Sequence, residues 1–379
     1  MVLPGRRRQV AVKETSGQHH HALRSTMSTL PTLLAAVQPA AAQDSVGTPL
    51  LWGITIGGVL LLFALDFVIT RRPHEVSMKE AVGWSSFYIA LPLAFGVFVW
   101  SRYGGDRGIE YYTGYLVEKS LSVDNLFVFM LLLTAFAVPK ELQQRVLLIG
   151  VAGALVLRGV FIALGAQMIA TFSWTFLLFG AVLLVTAVKV LRDALSHEEA
   201  AVDIGSLRTV RLLRRVRPVV EDYRGPRMTV MENGRRALTP LALVTVAILG
   251  TDIVFAVDSV PAVFGITGDA YLVFATNAFA LLGLRALYFV LEGLLGALAH
   301  LGFGLAAILA FIGVKLVLHW AHGVWPATPE VPTLASLGVI VGILALVTVT
   351  SLVAKRRAEA GGTDDDAAPR RETVGSEPS

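Results

Sequence analysis

The sequence predicts an all-α polytopic membrane protein with about nine transmembrane helices, six of which form a 3+3 inverted repeat. The chain of 379 residues is 55% hydrophobic and only 16% charged, whereas soluble domains carry about 25% charged residues. Its apolar residues lie in runs of about 20, the length that an α-helix needs to cross a bilayer. The net charge of +4 does not indicate a nucleic-acid partner, because the basic residues cluster beside these runs.

Polar segments are predicted to flank a transmembrane domain at 49–355. Residues 1–48 are predicted to be a disordered N-terminal extension, although PAAAQ within it resembles a signal cleavage site. Residues 356–379 are predicted to be a disordered cytoplasmic tail. The predicted spans are 50–70, 84–101, 110–137, 143–167, 173–191, 238–264, 270–292, 297–319 and 332–354.

The distribution of positive charge predicts how these spans are oriented. The long loop at 192–237 is rich in arginine, whereas the loops assigned to the outside hold only Arg102 and Arg107. The protein is therefore predicted to lie in the cell (inner) membrane with its N-terminus outside and its C-terminus in the cytoplasm. The loop itself is predicted to be a solvated, irregular topological anchor with a short helix at 206–216, and a regulatory role is the alternative.

Two acidic stretches inside the apolar runs, EKSLSVDNLF from Glu118 and DIVFAVDSVP from Asp252, are the most informative feature. Each stretch carries two acids six residues apart, Glu118 with Asp124 and Asp252 with Asp258. Even mild insertion scales put the cost of one aspartate at a helix centre at about 2.5–3.5 kcal/mol. Four such residues in matching pairs predict a bound cation.

Each acidic stretch belongs to a set of three spans, and the charged residues of the two sets occur in the same order. An acid pair comes first, then an arginine, then a lysine. Repeat one at 110–191 holds Arg158 and Lys189, and repeat two at 238–319 holds Arg285 and Lys315. Because each repeat has three spans, the second enters the membrane from the opposite side. This inverted-topology repeat is typical of secondary transporters, whose site lies near the midplane between the repeats. The two acid-bearing helices are therefore predicted to be antiparallel and to face each other.

Oxygen donors dominate the predicted site. The predicted metal ligands are Glu118, Asp124, Asp252, Asp258, Asn125 and Ser259, with main-chain carbonyls. Pro261 is expected to break or bend its helix and to free a carbonyl beside Asp258. Oxygen sites suit Mg²⁺, Ca²⁺ and Mn²⁺, and the chain has no cysteine to supply a thiolate. The sequence therefore predicts a hard or borderline divalent cation and no organic cofactor.

Further polar residues in the apolar runs are candidates for balancing the acids or for gating. They are Arg158, Arg285, Lys189, Lys315, Asp66 and Asn277. The arginines have a paired structural role or a gating role as alternatives, and the lysines could instead extend to the membrane interface. Asp66 either guards an entrance or is peripheral, and Asn277 either faces the site or bonds a neighbouring helix.

At these residues the chain resembles the TerC (Alx-type) family of integral membrane proteins. The motifs are EKSLSVDNLFVF from Glu118, DIVFAVDSVPAVFGIT from Asp252 and TNAFALLGLRALYF from Thr276, and the match extends from about residue 50 to 355. The resemblance implies export of Mn²⁺, metal supply to exported proteins and a link to tellurium resistance. It also implies that Glu118, Asp124, Asp252 and Asp258 are the family's intramembrane acids.

The expected function is export of a divalent metal, Mn²⁺, by alternating access between the repeats. The expected partners are the metal ion and the lipid bilayer, with other membrane proteins as candidates and no nucleic acid. The alternative is a membrane assembly protein that binds metal without transporting it. An enzyme is not expected, because the sequence has no P-loop, HExxH motif or nucleophile–base pair.

Overall fold

The computed structural model describes residues 45–69, 77–196, 210–211, 218–220, 222–232, 234–292 and 300–365. Most of the predicted N-terminal extension, most of the predicted helix at 206–216 and the tail after 365 lie outside these residues. The helices are α1 (Pro49–Ile69), α2 (Met78–Tyr103), α3 (Gly105–Ala135), α4 (Lys140–Thr171), α5 (Thr175–Ser196), α6 (Pro240–Phe264), α7 (Ala270–Leu282), α8 (Leu284–Glu292), α9 (Leu301–Val324) and α10 (Thr333–Asp365). The strands β1 (Thr229–Glu232) and β2 (Arg235–Leu238) lie between α5 and α6. Because α10 continues to Asp365, the helix extends past the predicted start of the tail at 356.

Seven of the described helices, namely α1, α2, α4, α5, α6, α9 and α10, are long and apolar enough to cross a membrane. The pair α7 and α8 forms an eighth candidate span that bends by 41° at the break between them. α3 has 31 residues, which is about 46 Å at 1.5 Å per residue, but its central turns carry Glu118, Lys119 and Asp124. The polytopic all-α class is therefore confirmed, whereas the count of nine spans stays a prediction.

The two acid-bearing helices, α3 and α6, run antiparallel. Thr267, just after the end of α6, donates a hydrogen bond of 2.8 Å to Glu110 near the start of α3. At the other end, Tyr223 donates a hydrogen bond of 2.7 Å to the carbonyl of Phe136, just after α3, and β2 leads directly into α6. We call these two ends of the bundle the Glu110 end and the hairpin end.

The part of the long loop next to α6 forms an ordered β-hairpin. β1 and β2 pair antiparallel with Glu232 opposite Arg235, and Gly234 has a φ of +75°, which suits a tight hairpin turn. A tyrosine hydroxyl is a donor at neutral pH, and burial raises the pKa of Tyr223 further, to about 12. The prediction of an irregular loop is wrong here, because TVMENGRRAL contains an Asn-Gly pair, which favours a two-residue hairpin turn.

Glycines allow the helices to approach each other closely. A Cβ on Gly180 of α5 would lie 2.9 Å from the carbonyl oxygen of Gly313 on α9, so these two helices pack backbone to backbone. A Cβ on Gly150 of α4 would lie 2.7 Å from the side chain of Ile248 on α6. α4 packs on α6 and α7 packs on α3. Each acid-bearing helix therefore contacts the second span of the other predicted repeat.

Candidate functional site

A buried arginine, Arg158 of α4, lies between the two acid-bearing helices near their midpoints. Arg158 and Glu118 are 0% exposed and Asp252 is 1% exposed. One guanidinium nitrogen, Nη1, donates to Glu118 Oε1 and, at 3.1 Å, to Asn277 Oδ1. The other, Nη2, donates to Asp252 Oδ1 at 3.3 Å. Side chains from α3, α6 and α7 therefore meet at one cation.

Asn125, one helical turn beyond Leu121 on α3, completes the ring of oxygens around the guanidinium. With its amide oxygen turned toward Arg158, Oδ1 accepts from Nη2 at 2.9 Å and Nδ2 donates to the Leu121 carbonyl at 3.1 Å. This orientation satisfies both ends of the amide. The predicted site residues Glu118, Asp252, Asn125, Arg158 and Asn277 are therefore brought together.

Several buried side-chain oxygens on α3 and α6 lack a hydrogen-bond partner among the described residues. They are Glu118 Oε2, Asp252 Oδ2, Ser122 Oγ and Ser259 Oγ. Buried polar atoms are nearly always paired in native proteins, so unpaired ones call for an explanation. Two carboxylate oxygens and two hydroxyls with unused lone pairs are a donor set that a hard cation can use.

The second acid of each pair lies beside this ring and not within it. Asp124 and Asp258 are half-buried, and Asp258 lies within electrostatic range of both Asp124 and Arg158. Neither forms an ion pair with a residue in the part of the chain that the structure describes. Six residues of helix turn a side chain by roughly 120° and displace it by about 9 Å, which keeps the two acids of one helix apart.

Two carboxylates, those of Glu118 and Asp252, share one guanidinium, and Asp258 lies within electrostatic range of it, so acidic groups outnumber the arginine here. Over the described ranges, no three His, Cys, Asp or Glu side chains lie close enough to hold a metal ion in this conformation. Arg158 stands between Glu118 and Asp252 and offsets a desolvation cost of several kcal/mol per ion. Metal binding by the predicted ligands therefore stays a prediction, and it requires Arg158 to move.

A second buried ion pair lies closer to the hairpin end. Arg285 of α8 donates through Nη2 to Asp66 of α1 and through Nη1, at 3.3 Å, to Gln144 Oε1 of α4. Arg285 and Asp66 are both buried, so the alternative of a peripheral Asp66 is wrong. Arg285 therefore balances Asp66 and does not pair with any of the four acids of α3 and α6.

Comparison of the sequence with models of protein families shows which family the chain belongs to. The sequence model described as "Integral membrane protein TerC family" matches residues 103–359, a range that includes the whole Arg158 site. The chain belongs to the TerC family.

Relatives within the TerC family cover most of the chain. An uncharacterized membrane protein of Myxococcus xanthus is 40% identical over 321 residues, 84% of this chain and 97% of the relative. An uncharacterized membrane protein of Mycobacterium tuberculosis (strain H37Rv) is 42% identical over 317 residues, 81% of this chain and 80% of the relative. A protein of Escherichia coli K12 with the provisional name membrane-bound redox modulator Alx is 41% identical over 315 residues, 80% of this chain and 94% of the relative. No solved structure matches this TerC-family chain.

In this TerC-family chain α6 is unbroken, contrary to the break expected at Pro261, and α3 is unbroken as well. α3 and α6 run continuously through both acidic stretches, and Pro261 lies in the last turn of α6, which ends at Phe264. The missing N–H of Pro261 takes a donor from the carbonyl of Val257, but only three helical residues follow the proline, so α6 ends soon after it. The bent break in the described bundle falls instead at Gly283, between α7 and α8.

The predicted lysines do not join the acid cluster, whereas an overlooked lysine lies close to it in the chain. Lys189 is exposed on α5, and Lys315 of α9 is half-buried within electrostatic range of Glu110 and Glu330. Lys119 of α3 instead donates to the carbonyl of Ala280 at 3.4 Å, next to the α7–α8 break. A cation inside an apolar run is as costly as an acid, so its position beside Glu118 could have identified it.

Proposed function

We propose that this TerC-family protein exports a divalent cation, with Mn²⁺ as its substrate, through the acidic site between α3 and α6. The observation that carries the proposal is the sharing of one buried guanidinium by Glu118 and Asp252, which lie on antiparallel helices. The unpaired oxygens of these two acids, with Ser122 and Ser259, supply hard ligands. The choice of Mn²⁺ among hard cations comes from the family resemblance.

We propose that the chain crosses the membrane nine times and contains the inverted repeat. The nine spans are the seven apolar helices, the bent pair α7–α8, and α3, whose charged residues at its centre lie against other helices. The packing of α4 on α6 and of α7 on α3 is what a two-fold axis in the membrane plane would produce. By the positive-inside rule, the hairpin end would lie in the cytoplasm and the N-terminus on the outer side of the cell (inner) membrane.

Arg158 acts in this proposal as an internal counter-ion. It neutralises Glu118 and Asp252 when no metal is bound, which avoids leaving unpaired charges at membrane depth. A divalent cation carries more charge than a guanidinium and fits the surplus of negative charge in the cluster. Arriving metal therefore displaces Arg158, and departing metal lets it return, so that the site is never left uncompensated. Alternating access between the two repeats exposes the site to each side in turn, and uptake of protons by the carboxylates would supply the exchange ion.

The proposal is tested by metal flux into sealed vesicles that contain only the purified protein. Flux is measured for Mn²⁺, Ca²⁺, Mg²⁺ and Zn²⁺, and the variants Asp258→Asn and Glu118→Gln are expected to lower Mn²⁺ flux strongly. The matched control is Asp193→Asn, which changes an exposed acid on α5. In cells grown in excess MnCl₂, a variant Asp258→Asn that protects and lowers cell manganese as well as the wild type would show that the site is wrongly placed.

The alternative is a membrane metal-binding or assembly protein that does not transport, linked to tellurium resistance or to metallation of exported proteins. It predicts binding without flux in the same vesicles. The redox role in the name of the Escherichia coli relative could not use thiols here, because this chain has no cysteine.

A further inference from the structure

Lys119 reaches from α3 to the break between α7 and α8. Its Nζ donates to the carbonyl of Ala280 at 3.4 Å. In an unbroken helix this carbonyl would accept from the N–H four residues later, that of Leu284. A Cβ on Gly283 would lie 3.3 Å from Lys119 Nζ and 3.0 Å from Tyr88 Cβ. The lysine therefore packs directly on the break and occupies a backbone acceptor there.

The break separates the two buried ion pairs. Before it, Asn277 of α7 bonds Arg158, which also holds Glu118. After it, Arg285 of α8 bonds Asp66. Each half of the bent helix is thus attached to a different arginine pair, and Lys119 contacts the point where the halves join.

Lys119 is also tied to the acid cluster through the chain itself. It follows Glu118 directly, and consecutive Cα atoms are about 3.8 Å apart, so a shift of α3 at one residue moves the other. Within the described ranges no carboxylate pairs with Lys119. Charged side chains at membrane depth pair with one another or with backbone carbonyls and commonly mark functional positions. Its bond to one carbonyl at the break indicates a positional role.

We propose that Lys119 is a positioning residue that couples cation binding at Glu118 to the Asp66–Arg285 pair, and this inference rests on the proposed function. When a cation replaces Arg158 at Glu118, α3 shifts and carries Lys119 with it. The contact with Ala280 transmits the shift to the start of α8. Arg285 then separates from Asp66 and changes access to the site from the hairpin end.

The test uses a reporter thiol introduced on α8. Because the chain contains no cysteine, the labelling reagent can react with this thiol alone. Ala286→Cys places this thiol on a buried position next to Arg285. In the purified full-length protein, MnCl₂ is expected to raise the rate of N-ethylmaleimide labelling several-fold. Adding Lys119→Met is expected to abolish this response while calorimetry still detects Mn²⁺ binding. Lys119→Arg is expected to restore it.

The matched control is Lys140→Met, which removes an exposed lysine at the start of α4 and is expected to keep the full response. The coupling is overturned if Lys119→Met responds to Mn²⁺ as Lys140→Met does. If the parent binds Mn²⁺ but its labelling rate does not change, the coupling falls and the proposed function stands. If the parent neither binds nor responds, both fall. Should Lys119→Met not fold, Lys119→Gln, which keeps a shorter neutral donor, is expected to weaken the response.

Discussion

Replacing Arg158 by methionine should destabilise the bundle more than replacing either of its acidic partners. Arg158 is fully buried and bonds Glu118, Asp252 and Asn277, and methionine keeps much of its length but none of its donors. Removing one partner of a buried ion pair costs about 3–5 kcal/mol. Because one guanidinium serves two carboxylates here, we expect the upper part of that range. Glu118→Gln should cost less, because Asp252 still compensates the guanidinium.

The effect can be measured by titrating SDS into protein folded in mixed micelles and following tryptophan fluorescence. The chain has six tryptophans to report unfolding. A cost of about 3–5 kcal/mol changes the folded-to-unfolded ratio by roughly two to three and a half orders of magnitude. The control Arg192→Met, at an exposed position near the end of α5, should stay within about 0.5 kcal/mol of the wild type.

A triple variant separates charge from packing. Adding Glu118→Gln and Asp252→Asn to Arg158→Met neutralises both carboxylates that pair with Arg158, so most of the lost stability should return. If the triple variant is as unstable as Arg158→Met alone, the loss reflects packing of the arginine stem and the electrostatic reasoning is refuted. A stability for Arg158→Met equal to that of Arg192→Met would refute it as well.

Three further predictions concern the scaffold. Gly180→Ala should cost about 1–3 kcal/mol in the same titration, because its Cβ would meet the Gly313 carbonyl, whereas Gly338→Ala, with nothing within 4 Å, should be neutral. Tyr223→Phe should remove a hydrogen bond worth about 0.5–1.5 kcal/mol and speed trypsin cleavage in the arginine-rich loop; an unchanged rate would count against an ordered hairpin. Asp269→Ala should remove the N-cap of α7 and two hydrogen bonds from the segment before α1. Loss of the cap should lower the free energy of unfolding by about 1 kcal/mol, and loss of the other two bonds should speed amide hydrogen exchange at residue 46.

The helices and the buried acids were predictable because a bilayer imposes simple rules on a sequence. Run length predicted a span at 238–264, and α6 is Pro240–Phe264. The cost of a carboxylate in hydrocarbon singled out Glu118 and Asp252, and both are buried and paired. These rules need only local composition, which one sequence supplies in full.

The partners of the charged residues were less predictable because they depend on how distant helices pack. Asp66 lies 219 residues before Arg285, in a helix outside both predicted repeats. The sequence offered Arg285 only as a candidate for balancing the four acids of the two stretches, and its partner Asp66 lies in neither stretch. The helix break was misplaced for a related reason. Pro261 is a strong local signal, but its effect depends on how far it lies from the end of α6, and Phe264 ends that helix.

The different surroundings of Arg158 and Arg285 bear on how the site could open to one side at a time. They occupy corresponding places in the two predicted repeats, yet Arg158 holds two midpoint acids and Arg285 holds Asp66 near the hairpin end. If both repeats had the same conformation, the site would be equally accessible from both ends of the bundle. Alternating access therefore needs corresponding residues to have different partners in any one state, and a transport cycle would have to change the partners of both arginines.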